Sequence, residues 1–232
     1  MATPNIDLLA SSGVILNNFY VSPICSPSRS ALLTGYNPVH TGMQHHVIAV
    51  LTPYGLPLKY KTMGDHFREI GYSTHIVGKW HQGHFAHEYL PTSRGFDTFL
   101  GYLTSRSDYY NRMGGDLRHG FDFWENDQHA NLSAYEGQYS TDLYTDRVIK
   151  HIEQHSSGGP ESSKPFFIYF AQQSIHGGAF QQLPKRNIQP PTRFENDFKH
   201  IKNEERRRFA GMIAALDESV GRVFRVSVRW SD

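Results

Sequence analysis

With 232 residues, 19% charged and 13% aromatic side chains and a formal net charge of +1, the chain has the make-up of a folded globular protein with a substantial core. That balance excludes a disordered chain, and no basic block is large enough to track the phosphate backbone of a nucleic acid. No run approaches the ~20 apolar residues of a membrane span.

Strand-like and helical patterns alternate along the chain. Thr3 to Ser12 reads as a helix, with Thr3 as N-cap, Pro4 in the first turn and Gly13 as stop. Val14 to Val21 reads as a strand. A second helix runs from Ser26 to Thr34, with Ser26 at the N-cap, Pro27 at the first helical position and Gly35 beyond its end. Thr62 to Ile70 is a helix closed by Gly71, followed by the strand Tyr72 to Val77. The stretch from Gly95 to Asn131, rich in Gly, Asp, Tyr and Asn, reads as a long excursion of the kind that often holds specificity. Thr141 to His155 is an amphipathic helix. The Pro- and Ser-rich turn Ser156 to Pro165 leads into Phe166 to Phe170, a continuous apolar run expected of a strand buried on both faces. The last helix spans Asn203 to about Val223, and its charged start, Asn203 to Arg208, reads as a solvated face. The alternation predicts an α/β fold: a mostly parallel sheet flanked by helices.

In such sheets, ligands bind beyond the carboxyl ends of the strands. After the first strand comes Cys25-Ser26-Pro27-Ser28-Arg29 at a helix start. After the second comes Gly78-Lys79-Trp80-His81, and after the third Ser174-Ile175-His176. A helix N-terminus favours an anion beside Cys25, and the planar fork of Arg29 suits a tetrahedral oxyanion. Lys79 and His81 are two apart, so an extended backbone would put both on one face. Taken singly, Cys25 reads as a small core residue, His176 as a structural histidine, and Arg29 or Lys79 as a surface charge. Together they describe an anion pocket holding a nucleophile.

Cys25 is the single cysteine, so no disulfide forms within the chain. By count alone this points to a reducing compartment or to a thiol kept for its reactivity. The opening residues lack the charged and apolar regions of a secretory signal. Against this, Asn131-Leu132-Ser133 is a glycosylation sequon, meaningful in a secreted protein. The 14 histidines are scattered rather than spaced as metal ligands on one helix.

The stretch Cys25 to Gly35 (CSPSRSALLTG) matches the C-x-P-x-R…L-x-T-G signature of the type I sulfatases. Thr3-Pro4-Asn5-Ile6-Asp7, Gly78-Lys79-Trp80-His81, Leu90-Pro91-Thr92, Arg94-Gly95-Phe96-Asp97, Ser174-Ile175-His176, Phe209-Ala210-Gly211-Met212 and Asp217-Glu218 are similar too. From Thr3 to about Val223 the chain resembles this family, arylsulfatase B and its near relatives above all. The resemblance implies an alkaline-phosphatase-like α/β domain that hydrolyses sulfate esters, including those of glycosaminoglycan sugars. It implies that a formylglycine-generating enzyme reads Cys25, Pro27 and Arg29 and oxidises Cys25 in the endoplasmic reticulum. A hydroxyl of the hydrated aldehyde would then attack sulfur, splitting one hard step into two. Arg29 and Lys79 would hold the diol, His81 would assist elimination, and His176 would contact sulfate and protonate the leaving oxygen. A lysosomal or secreted location and glycosylation at Asn131 follow from the same resemblance.

The family also implies Ca²⁺ or Mg²⁺, held by a paired-Asp segment expected upstream of Thr3 and an Asp-Asn pair expected after the last helix. Neither lies within the 232 residues, where the position of Cys25 is the one family ligand, whereas Ca²⁺ takes about 6–8 oxygens. Residues 1–232 are therefore expected to be a partial catalytic domain, lacking the N-terminal metal-binding strand and the C-terminal part, and silent on their own. Two alternatives stay open. One is a catalytically silent truncated fragment; the other is a phosphate or phosphonate ester hydrolase of the alkaline-phosphatase superfamily. A papain-like thiol hydrolase lacks its local signature around Cys25.

Overall fold

The computed structural model describes residues 2–114, 120–158, 163–179 and 187–228. Its strands are β1 (Ser73–Lys79), β2 (Thr98–Tyr102), β3 (Met113–Gly114), β4 (Gly120–Phe121), β5 (Trp124–Glu125), β6 (Gln128–His129) and β7 (Phe166–Ala171). The helices are α1 (Pro4–Ser11), α2 (Cys25–Thr34), α3 (Pro38–Thr41), α4 (Met63–Glu69), α5 (Ser140–Ser156), α6 (Thr192–Glu195) and α7 (Glu204–Val228). Five strands form one sheet in the order β6-β5-β2-β1-β7, with β2 and β7 both parallel to β1 and β5 antiparallel to β2. β3 and β4 form a small separate ribbon.

All seven residues of β1 are buried, because the sheet is covered on both faces. Val77 joins Leu100, Tyr102, Leu143, Tyr144, Val148 and Ile152 under α5, with Val223 and Val226 of α7 against them. Ile76, one residue earlier, points the other way into Leu33, Trp80, Phe96, Phe99 and Leu103. Burial of this kind contributes about 1.5–3 kcal/mol for each large apolar side chain. The three parallel strands come unusually close at their carboxyl ends, where Gly78 pairs with both Gly101 and Ala171. A Cβ on Gly78, whose φ is +111°, would lie 2.0 Å from the Ala171 carbonyl oxygen, so glycine is required there.

Several expectations need correction. Val14 to Val21 is not a strand: it forms turns and coil, and none of its residues pairs with a strand among the described residues. An apolar run becomes a strand only where a neighbour takes up its backbone groups, and none is beside it. Phe166 to Phe170 lies in the edge strand β7 and is half-buried or exposed, with Ala171 alone buried. The supposed excursion from Gly95 to Asn131 contains β2, a central strand of the sheet. Ser26 is not the cap of α2. Ile24 occupies that place, Cys25 is the first helical residue, and the buried Ser26 hydroxyl accepts from the Ile48 N–H at 3.0 Å. Nor does Thr3 cap α1 with its side chain; the Asp217 carboxylate of α7 takes the N–H groups of Asn5 and Ile6 at 3.0 and 2.9 Å. The helix over Thr62 to Ile70 is α4, and Thr62 and Asp65 close its start as a capping box. The Ser156 to Pro165 turn falls partly outside the described residues.

Candidate active site

The carboxyl ends of β1, β2 and β7 and the N-terminus of α2 converge on one cavity of about 350 Å³, lined by Arg29, Lys79, Tyr102, Gln172, Gln173, Ser174, Ile175 and His176. Cys25 stands at its side as the first residue of α2 and is half-buried. The five residues singled out from the sequence, Cys25, Arg29, Lys79, His81 and His176, are thus brought together, although the strand expected to lead into Cys25 does not form.

Their positions are held by the main chain. Arg29 donates to the Lys79 carbonyl at 2.7 Å and to the Tyr169 hydroxyl at 3.3 Å, tying α2 to β1 and β7. Lys79, 2% exposed, donates to the Ser105 carbonyl at 2.5 Å. Burial and the neighbouring Arg29 guanidinium pull its ammonium down to about 8, against the opposing effect of Cys25, and a further anion in the cavity would favour the charged form. His176 has Nδ1 against the Gly177 carbonyl at 2.9 Å, and its backbone carbonyl accepts from the Tyr109 hydroxyl.

His81 reaches the site differently from the expectation. It lies beyond the end of β1 with φ +58°, so it shares no extended face with Lys79. A non-glycine residue in this region costs about 1–3 kcal/mol, which the surrounding structure must offset. The ring is 1% exposed, and Nε2 donates to the Ile48 carbonyl at 2.9 Å. That fixes the tautomer and leaves Nδ1, which has no partner in hydrogen-bonding geometry, as the nitrogen facing the Cys25 sulfur. Burial pushes the imidazole below its ordinary range.

The effect on Cys25 is large. The imidazoles of His176 and His81 beside it, helped by the Lys79 charge, pull its thiol down to about 4, against the opposing effect of burial. Position 25 is thus a place where negative charge is stabilised, whatever atom carries it. The same surroundings do not fit a dication. Arg29, Lys79, His81 and His176 face Cys25, and among the described residues no group of three or more His, Cys, Asp or Glu side chains could hold a metal. A Ca²⁺ or Mg²⁺ site needs oxygens that these residues do not supply.

Tyr102, Gln172 and Gln173 escaped the sequence reading, which named Ser174 and Ile175 only as the residues before His176. Tyr102 enters by register, as the residue paired with Lys79 across β1 and β2, and could have been found had β2 been recognised. Gln173 is held by its own amide, which donates to the Ser107 carbonyl at 2.6 Å. Asn131 is exposed at the surface, its side chain accepting from the Ser133 N–H.

Residues 1–226 match the family model described as Sulfatase. The chain is 42% identical to arylsulfatase J of Mus musculus over 223 residues, covering 95% of this chain and 35% of that protein. To human (Homo sapiens) N-acetylgalactosamine-6-sulfatase it is 26% identical over 238 residues, 97% of this chain and 41% of the relative. Among solved structures it superposes on the crystal structure of Ps i-CgsB with a TM-score of 0.84 and 28% identity, over 99% of this chain and 50% of that one. The chain therefore spans between 35% and 41% of the length of these curated relatives.

Proposed function

The chain belongs to the sulfatase family, and from that premise we propose that it carries the nucleophile and most of the anion-binding cations of a sulfuric-ester hydrolase. The observation that carries the reading is position 25: the head of the C-x-P-x-R stretch, at the first residue of α2, faced by Lys79, His81 and His176 and charge-stabilised by them. Oxidised to formylglycine by its generating enzyme, residue 25 would supply a hydrated aldehyde whose hydroxyl attacks sulfur.

The other residues divide the work. Arg29 and Lys79 would hold the sulfate oxygens, and fixed positive charge in a dry pocket is commonly the largest catalytic contribution. His81, with Nε2 committed to Ile48, offers Nδ1 to position 25 as an acceptor in its neutral form, and would take a proton from the residue there. His176 gives its Nδ1–H to the Gly177 carbonyl, so to protonate the leaving oxygen it would carry a second proton on Nε2, as the imidazolium, and return to the neutral ring afterwards. A divalent cation, Ca²⁺ or Mg²⁺ by family, would have to be bound by groups other than those described here, and no step is assigned to it.

For substrate we propose sulfate esters of glycosaminoglycan sugars, in the lysosome or outside the cell. A relative named N-acetylgalactosamine-6-sulfatase supports this, and a structural neighbour at 28% identity in complex with k-i-k-neocarrahexaose supports a saccharide more broadly. Exposed Asn131 would carry a glycan there.

The test is to produce the complete protein through the secretory pathway together with the modifying enzyme. Mass spectrometry of the peptide containing Cys25 should show an aldehyde in place of the thiol, and an aryl sulfate should be hydrolysed in preference to an aryl phosphate. Lys79→Ala should lower kcat/KM by about 10²–10³. A peptide found only with unmodified cysteine, or a preference for phosphate, would refute the reading.

A further inference from the structure

Tyr102 has no part in the mechanism above, yet it lines the cavity and its hydroxyl is buried beside it. The residue ends β2 and is completely buried, its ring packed with Val77, Leu100 and Tyr144 under α5. The parallel register pairs it with Lys79, so the two side chains leave the sheet on the same face at the same level. Both line the cavity with Arg29 and His176. Its backbone is satisfied, the carbonyl accepting from the Trp80 N–H at 2.9 Å. The phenol oxygen is not: it is buried and has no hydrogen-bond partner. A buried polar group without a partner is costly and uncommon in folded proteins, and each instance calls for a reason.

Its surroundings supply one. Of the charges that act on the phenol, Arg29 is the foremost, and Cys25 is among the others. Burial holds the phenol well above its ordinary value, so it keeps its proton throughout the working range of any enzyme. A neutral, fixed O–H beside two cations complements them. Lys79 already gives a hydrogen bond to Ser105, and Arg29 gives two to Lys79 and Tyr169, whereas the Tyr102 proton is uncommitted.

We propose that the Tyr102 hydroxyl donates a hydrogen bond to a sulfate oxygen of the substrate held beside residue 25, as an additional catalytic residue of this site. The inference deepens the sulfatase reading and rests on it for the nature of the anion. A sulfate monoester carries no proton of its own, so every terminal oxygen is an acceptor. A directional neutral donor would fix the rotation of the group about its ester bond, which two cations alone leave loose.

The rival is internal. Gln173 Oε1 lines the same wall and is likewise buried without a partner, so a small shift could pair it with Tyr102. The variant Tyr102→Phe separates the two, because phenylalanine keeps the ring and removes only the oxygen. In the complete protein we would measure inorganic sulfate affinity by calorimetry, kcat/KM for an aryl sulfate, and the thermal midpoint. The expected result is about tenfold or more loss of sulfate affinity and of kcat/KM, the value of one hydrogen bond to a charged group. The midpoint should be unchanged or higher, since an unsatisfied buried hydroxyl has gone. Unchanged sulfate affinity overturns the proposal, and if the midpoint also falls, Tyr102 serves an internal bond. A wild-type protein that binds sulfate without hydrolysing sulfate esters sinks the sulfatase reading instead, and the affinity comparison still decides the role of Tyr102.

Discussion

Two segments, Val14 to Val21 and Ser73 to Lys79, precede the two halves of the site and look alike in sequence. Both are rich in β-branched or aromatic residues, and both lead directly into residues of the anion pocket. Their fates differ completely. Ser73 to Lys79 is β1, buried along its whole length between two parallel neighbours. In the other segment Val14 is 87% exposed and Tyr20 88%, with no strand beside them among the described residues. Apolar content thus marks a segment as able to join a sheet, while joining depends on a free edge in the right place. The consequence for the site is that Lys79 is held at the end of a rigid strand, with His81 two residues beyond it. Cys25 is instead placed by its own helix and by the bonds from Arg29 to Lys79 and Tyr169.

The largest expected effect follows from the crowding at the end of β1. In Gly78→Ala the new Cβ would lie 2.0 Å from the Ala171 oxygen and 2.6 Å from its carbon, at a φ of +111°. Strands β1 and β7 would have to part, and the loss should exceed about 4 kcal/mol, a large share of a domain's stability. The matching change beside the exposed segment, Gly13→Ala, puts its Cβ 3.5 Å from the Leu9 oxygen, an ordinary contact. It should alter stability by less than about 0.5 kcal/mol. Urea unfolding of both variants measures the contrast; similar losses would show that the two segments are not as different as the structure makes them.

How much of this could be read in advance divides along the same line. β1 was legible because a β-branched run after a Gly-terminated helix has few other meanings. The pocket was legible because the chemistry sits immediately after strand patterns, so Cys25, Arg29, Lys79, His81 and His176 could be named together. β2 was hidden, since Thr98–Tyr102 lies in a stretch whose Gly, Asp and Tyr content signals loop. With it went Tyr102, whose place in the site is set by register against Lys79 and by no motif. The exposure of β7 was also out of reach, because five apolar residues in a row suit a central strand, and only the strand order puts them at the edge. His81 was placed near Lys79 for the wrong reason, an extended backbone that its φ of +58° contradicts.

An effect of intermediate size comes from the α5 face of β1. His75 of β1 stacks on His151 at 4.1 Å, and its Nε2 lies 3.0 Å from Nε2 of His155, with Thr98 on Nδ1. Burial, then the charge that His75 would carry, pulls His151 down to about 3; His155, Arg147 and Lys150 act in the same direction. The folded state therefore keeps His151 neutral, while the unfolded chain takes up a proton below about pH 6.5. The unfolded state binds more protons as pH falls through that value, so the stabilisation is present above it and is lost on acidification. Between pH 6.5 and 4.5 the loss should be about 2 kcal/mol, and His151→Phe should remove most of that slope. In an acidic compartment this cluster would be a standing cost. Unfolding midpoints at the two pH values test it, and an unchanged slope in the variant would assign the acid sensitivity elsewhere.

The smallest effect should come from the exposed segment itself. Ile15, Leu16 and Phe19 are 66–67% exposed, so polar replacements there remove little buried surface. On residues 1–232, the double change Ile15→Asn, Phe19→Ser should shift stability by less than about 0.5 kcal/mol, whereas an Ile76→Ala in β1 should cost about 2–5 kcal/mol. What should change is association. A contiguous run of exposed apolar side chains favours contact between copies, so the double variant should sediment closer to a monomer at high concentration than the parent does. Sedimentation and urea unfolding on the same samples separate the two properties. If the double variant loses several kcal/mol with no change in association, the segment is covered within the chain in solution. The contrast with β1 would then be one of degree.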